Sequence, residues 1–308
     1  MEEVFSRPVI FYPLTFILGL IVGSFLNVII YRLPRRMEQE LKDACAELAD
    51  IETEFIPNKW FGLAFLMTPP STCLSCCHRI RAWENIPVVS WLVQKGKCTS
   101  CGVKLSIQYP AVELLAAIFS LAVAWHFGFS WQTLAALLLT WSLITMSIID
   151  IRLQLLPDIL ILPLIWLGLM INLDGGFTDI HSAVYGAVAG YLSLWFIFHL
   201  FLLITGKEGM GYGDFKLFAL FGAWLGWQML PQILLLSAVV GAISGISMIL
   251  FMDRDRDRDR DKAIPIPFGP YLAAAGWIAM LWGNEINQSY LQFAGIGWQP
   301  PTTIPPPG

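Results

Sequence analysis

Charge is scarce in this chain. Asp, Glu, Lys and Arg make up 14% of its 308 residues, against 56% hydrophobic residues. A soluble globule carries about a quarter charged residues, so a single water-exposed globule is excluded, and the mean hydropathy of +0.63 agrees. A strong excess of one sign is missing too: the net charge of −4 gives no reason to expect a nucleic-acid partner. Met1-Glu2-Glu3 lacks a basic run, and the apolar stretch after it lacks a small-residue cleavage pattern, so the first apolar segment is expected to remain in the protein. No serine or cysteine nucleophile with a nearby histidine pattern is present. His126 and His199 fall in or near apolar runs and His181 in a loop, where packing or an interface accounts for them. No Gly-x-Gly-x-x-Gly loop follows a strand signal, which removes an ordinary nucleotide-binding domain.

What is present is a series of apolar runs long enough to cross a hydrocarbon core of about 30 Å. They fall at 9–31, 110–128, 132–150, 155–173, 182–204, 214–230, 231–252 and 267–285. The expected fold is therefore an all-α polytopic membrane protein of about eight transmembrane helices, with a small cytoplasmic insert between the first and second. The expected layout is a first helix over 1–34, the insert over 35–108, a seven-helix core over 109–285 and a Pro-rich periplasmic tail over 286–308. With the N-terminus outside, Arg32, Arg35, Arg36, Arg152, Lys207 and the Arg254–Lys262 run all fall inside, and Arg7 alone falls outside.

That orientation puts two carboxylates on the inner face. Asp214 follows Gly209-Met210-Gly211-Tyr212-Gly213, three glycines in five positions, which predicts a turn with unusual backbone freedom that a substrate peptide can approach. Two readings of Asp214 stand at this point: an N-cap for the helix that follows, or a carboxylate kept at a membrane edge for chemistry, since carrying it to mid-bilayer costs about 2.5–3.5 kcal/mol. Asp158, after Leu156-Pro157, suits a helix start. Asp150 ends an apolar run, where the helix dipole disfavours a negative charge. Asp150 and Asp214 are thus the expected catalytic pair. Two carboxylates close enough to share a proton titrate together, one ionised to draw a proton from water, one protonated to polarise a peptide carbonyl.

The insert opens with Leu41, Cys45, Leu48, Ile51 and Phe55 at helical spacing, which predicts a helix over Met37–Phe55 with Cys45 buried on its apolar face and an acidic opposite face. Then come Cys73-Leu74-Ser75-Cys76-Cys77-His78 and Cys98-Thr99-Ser100-Cys101. Two Cys-x-x-Cys turns on a reducing side fit a closed structural zinc site, with Cys77 or His78 open as a replacement for Cys76. Gly19 and Gly23 suit close packing of two helices. The run Asp253–Lys262 alternates acids and bases and is expected to be a solvated inner loop, and the tail from Gln299 a flexible outer one.

With these pieces placed, the chain closely resembles the bacterial prepilin peptidases, the leader peptidases and N-methyltransferases of type IV pili and type II secretion. The resemblance covers nearly the whole length and is carried by Gly23-Ser24-Phe25-Leu26-Asn27-Val28, the double Cys-x-x-Cys, Asn85-Ile86-Pro87, Tyr109-Pro110 with Glu113, Asp150 with Leu156-Pro157-Asp158, Gly211-Tyr212-Gly213-Asp214, and Pro267-Phe268-Gly269-Pro270. It implies a GxGD-type aspartyl protease of the inner membrane that cuts prepilins and pseudopilins on the cytoplasmic side. It also implies methylation of the new amine from S-adenosylmethionine. By matching positions, Asp150 and Asp214 are the catalytic pair and Cys73, Cys76, Cys98 and Cys101 the zinc ligands. The methyl-donor site is expected in the insert and first-span motif, with Asn27, Arg32 and Glu113 as candidates; helix bonding, an inner-face marker and a cap at a helix start are their ordinary roles. The competing reading is a transporter with a carboxylate relay for protons or a cation, the zinc insert serving as a regulatory knob.

Overall fold

The computed structural model describes residues 7–48, 72–73, 75–207, 209–252 and 267–293. The Asp253–Lys262 run, the tail from Gln299 and the end of the helix expected at Met37–Phe55 lie outside the described residues. Among the described residues nine α-helices follow in order: α1 Pro8–Leu48, α2 Val89–Val93, α3 Gln108–Phe127, α4 Trp131–Leu153, α5 Asp158–Asn172, α6 Ile180–Thr205, α7 Tyr212–Leu225, α8 Leu230–Met252 and α9 Gly269–Phe293, with short 3₁₀ turns at Ala82–Asn85 and Trp227–Met229. No strand occurs among the described residues; two isolated bridges sit in the insert. The protein is an all-α, multi-pass membrane protein. Among the described residues five stretches are long and apolar enough to cross a bilayer: Pro8–Asp43, Gln108–Phe127, Trp131–Leu153, Ile180–Thr205 and Trp227–Ser247. The other three expected spans are also helices. However, α5 and α7 have 15 and 14 residues, short of the roughly 20 that a crossing takes.

The chain divides into two compact units, Met1–Pro157 and Asp158–Gly308. In the first, Leu26, Ile30 and Leu33 form the buried stripe of α1. Gly19 and Gly23 let α1 run against α3: an added Cβ would lie 2.6 Å from the Ala117 Cα and 2.7 Å from the Glu113 Cα, so only glycine fits at this spacing. Helix α4 buries Ala136, Leu139, Leu143 and Met146, the three- and four-residue steps of one helical face. It joins α3 through the Trp141 indole N–H, which donates to Ser120 Oγ at 2.9 Å.

Two expectations about the insert's first helix are corrected. Helix α1 does not stop near the inner face but continues through Pro34 to Leu48, carried by i,i+4 pairs such as Arg36–Glu40 and Lys42–Glu38 at 2.7 Å. Its apolar positions Leu41 and Cys45 are exposed, because the described protein packs nothing over them. Helical spacing shows which residues share a face, and whether that face is covered depends on a partner the spacing does not supply.

In the second unit α7 is the core. Apart from Lys216, every side chain from Asp214 to Leu225 is buried, and a helix apolar all round has to be interior. Helix α6 meets it through Gly186 and Gly190, with Gly222 opposite and in backbone contact with Gly186. Helix α5 packs on another side, where Gly168 makes room for the Trp224 indole, whose N–H donates to the Leu164 carbonyl at 2.8 Å. The break between the expected spans 214–230 and 231–252 falls at Gly226, at φ +83°, rather than at Pro231, which α8 takes as its second residue. Asn172 seals this end. Its Nδ2 donates to the Ala223 and Trp224 carbonyls at 2.9 and 3.0 Å, and its Oδ1 accepts from the Phe177 and Thr178 amides. One buried side chain thus satisfies the open end of α7 and the turn that leads to α6.

Candidate functional site

Asp214 is the third residue of α7 and only 6% exposed. Gly211, not Asp214, is the N-cap, with extended dihedrals of −82° and 148°. Asp214 lies in the first turn of the helix, where the dipole suits a negative charge. None of Gly209, Gly211 and Gly213 has a positive φ, so backbone freedom is not why they are there. Space is tight only at Gly209, where a Cβ would lie 2.9 Å from the Phe201 ring; beside Gly211 a Cβ would meet the Asp214 carboxylate at 3.9 Å, an ordinary contact. Tyr212, Phe215 and Phe198 stack around this corner with ring centres 5.4–5.5 Å apart. Asp158, the first residue of α5, accepts from Lys216 Nζ at 2.6 Å, a partly exposed pair that ties α5 to the start of α7.

Asp150 lies in the first unit, near the end of α4, and is 5% exposed. The Gln154 amide closes this helix end by donating to the Asp150 carbonyl at 2.8 Å. Two carboxylates buried at ends of apolar helices are costly features that ordinary capping does not explain.

The insert gathers its cysteines. The sulfurs of Cys73, Cys76, Cys98 and Cys101 all lie within 4.8 Å of one another, with Cys73 and Cys101 at 3.9 Å. Tetrahedral Zn–S bonds of about 2.3 Å put sulfurs about 3.8 Å apart, so the donor set fits zinc. Cys77 and His78 stand outside this group. The two turns are copies: Cys73 N–H donates to the His78 carbonyl and Cys77 N–H to Cys73, as Cys98 N–H donates to Val103 and Gly102 N–H to Cys98. Cys77, at φ +56°, fills the left-handed place that Gly102 fills at φ +72°. The amides of Ser75 and then Cys76 pull the Cys73 thiol down to about 6. Cys101, despite a bond to the Val103 backbone, is pushed up to about 11 by burial and by the neighbouring thiols. Four sulfurs so close cannot all ionise unless a cation joins them. Among the described residues of the insert only Cys73 and Gly96 are buried, so the fold has little besides such a cation to hold it.

Glu84, which the sequence reading passed over, clamps the two turns. It accepts from the Arg81 amide at 2.8 Å and the Thr99 hydroxyl at 2.7 Å, and faces His78 at 3.4 Å; the Arg81 amide foremost, then Thr99, hold its carboxyl below the usual range.

Of the three candidates for methyl transfer, the structure brings Asn27 and Glu113 to one crossing. Asn27 Nδ2 donates to the Tyr109 carbonyl at 3.1 Å, and one turn away Gly23 touches Glu113. Glu113 is not the cap of a helix start: it is the sixth residue of α3, 7% exposed, and its Oε2 accepts from the Val88 amide at 2.7 Å. Val88 sits at φ 59°, ψ −48°, in a γ-turn closed by Val89 N–H onto Pro87. A β-branched residue there carries about 1–3 kcal/mol of strain. Arg32 follows on α1, half-buried and engaged in its own contacts.

Family models match two stretches: the Bacterial Peptidase A24 N-terminal domain over residues 17–127 and the Type IV leader peptidase family over residues 137–246. The chain belongs to the type IV leader peptidase family. It is 53% identical over 297 residues to the prepilin leader peptidase/N-methyltransferase of Stutzerimonas stutzeri, covering 96% of this chain and 99% of that one. With the protein of the same name from Pseudomonas aeruginosa it shares 54% identity over 296 residues, 96% of this chain and 99% of the relative. The Neisseria gonorrhoeae protein of that name is 47% identical over 266 residues, 86% of this chain and 88% of the relative. No solved structure matches the chain.

Proposed function

We propose that this chain is a membrane aspartyl endopeptidase that removes the leader of type IV prepilins and pseudopilins and then methylates the new N-terminal amine with S-adenosylmethionine as donor. Membership of the leader peptidase family and the names of its relatives support the reading. The observation that carries it is Asp214: a carboxylate 6% exposed in the first turn of an otherwise interior helix, directly after the Gly-rich corner. In this reading Asp150 and Asp214 share one proton. The ionised member takes a proton from water as the oxygen attacks the peptide carbonyl, the protonated member polarises that carbonyl, and the amine leaves with a proton returned by the pair. Both acids face the cytoplasm of an inner membrane, on the side where Arg32, Arg35, Arg36, Arg152 and Lys207 gather. Cys73, Cys76, Cys98 and Cys101 hold a structural zinc, and methyl transfer is centred on Asn27 and Glu113, with Arg32 close in sequence.

Asp150→Asn and Asp214→Asn test the pair. Each is expected to slow leader cleavage by at least about a hundredfold, with zinc content unchanged. A variant that still cuts at the wild-type rate removes its residue from the pair.

A further inference from the structure

We propose that Asn27, Tyr31 and Glu113 bind the free α-amino group of the cleaved substrate, and that Glu113 takes its proton before methyl transfer. The inference rests on the methyltransferase reading and specifies which of the two substrates this site holds.

Ser24, Asn27 and Tyr31 recur at three and four residues, on one face of α1. That face meets α3 in antiparallel rungs: Gly19 at Ala117, Gly23 at Glu113, Asn27 at Tyr109. Three polar groups along it, the Asn27 Oδ1, the Tyr31 hydroxyl oxygen and the Glu113 carboxylate, can accept a hydrogen bond. Asn27 is 7% exposed, and with both its donor bonds on backbone carbonyls its Oδ1 is buried without a partner. The Tyr31 hydroxyl is likewise buried and unpartnered, its ring held under the Arg35 guanidinium at 3.8 Å. Glu113 is bonded to the Val88 amide and the Ser24 hydroxyl, and none of the ion pairs among the described residues involves it. A buried carboxylate without a cation and two acceptors without donors match an ammonium, which brings one positive charge and three N–H donors. The methyl donor also carries an ammonium, so binding of S-adenosylhomocysteine is measured beside binding of the peptide amine.

Val88 supplies the way in. Its amide occupies Glu113 through a strained γ-turn, on a segment whose Ile86 and Val89 side chains are exposed. An ammonium taking over that bond lets the turn relax away from α3. The step then balances: the ammonium gives a proton to the Glu113 carboxylate, and the nitrogen lone pair forms the N–C bond to the donor's methyl. The C–S bond breaks with its electrons left on sulfur, converting the sulfonium to a thioether. The product is a methylated ammonium, and Glu113 returns the proton it took to solvent, which restores its carboxylate.

The test uses the purified full-length protein in nanodiscs and two mature pilin N-terminal peptides, one with a free amine and one N-acetylated. Wild type is expected to bind the free amine at least about tenfold more tightly, and Glu113→Gln to lose that preference while still binding S-adenosylhomocysteine. Tyr31→Phe, which removes one oxygen and no packing, is the second variant, with the preference reduced about threefold. Equal binding of the two peptides by wild type, or a preference that survives in Glu113→Gln, overturns the proposal. So does a loss of S-adenosylhomocysteine binding in Glu113→Gln with the amine preference kept, since that assigns the residues to the donor. A wild type that prefers the amine but adds no methyl to a cut prepilin supports the binding site and overturns the methyltransferase reading alone.

Discussion

Gly19 and Gly23 bring α1 against α3 in the first unit, as Gly186 and Gly190 bring α6 against α7 in the second. Both pairs have the small-xxx-small spacing that replaces a hydrophobic driving force where lipid is as apolar as the helices. The crossings differ in what lies beside them. Next to α7, Asn172 spends its oxygen and its nitrogen on four backbone groups. Next to α3, Asn27 leaves its oxygen unpartnered, and Glu113 reaches a strained amide outside the crossing. A close crossing can therefore serve as scaffold or as site, and the satisfaction of its polar groups separates the two. The insert stands apart from both, because its thiols replace a core.

The comparison can be broken in four places. Cys98→Ser should have the largest effect, since structural zinc in small domains is worth about 10–16 kcal/mol. Metal content is expected to fall from one zinc per chain to none, with the insert cut rapidly by added protease; retained zinc would contradict the ligand set. Asn172→Ala comes next. It strands two carbonyls and two amides, so a loss of about 3 kcal/mol and a clear drop in melting temperature in detergent are expected. Asn27→Ala should cost under about 1 kcal/mol, because it removes an unpartnered atom along with two bonds. Equal costs would erase the distinction. Gly19→Val probes the crossing itself: its side chain would press on Ala117, with an expected loss of about 2 kcal/mol.

The helices and the four thiols were legible because each rests on local pattern: apolar length for the spans, doubled Cys-x-x-Cys for the metal site. Gly19 and Gly23 act as their spacing implies. What was not legible depends on pairing. Cys77 looks like a spare ligand until Cys73–Arg79 is laid over Cys98–Lys104 and it falls on Gly102. Glu84 has meaning only once His78 and Thr99 are neighbours. The glycines before Asp214 suggested unusual dihedrals, but their backbone is ordinary, and only Gly209, against the Phe201 ring, is required by space. Cys45 followed a helical stripe to the surface.

The most direct measurement is the intact mass of a prepilin after incubation with the purified protein and S-adenosylmethionine. The account predicts a shortened chain carrying one added methyl from wild type, and an untouched chain from Asp214→Asn. An untouched chain from wild type, or a shortened one from Asp214→Asn, would contradict it.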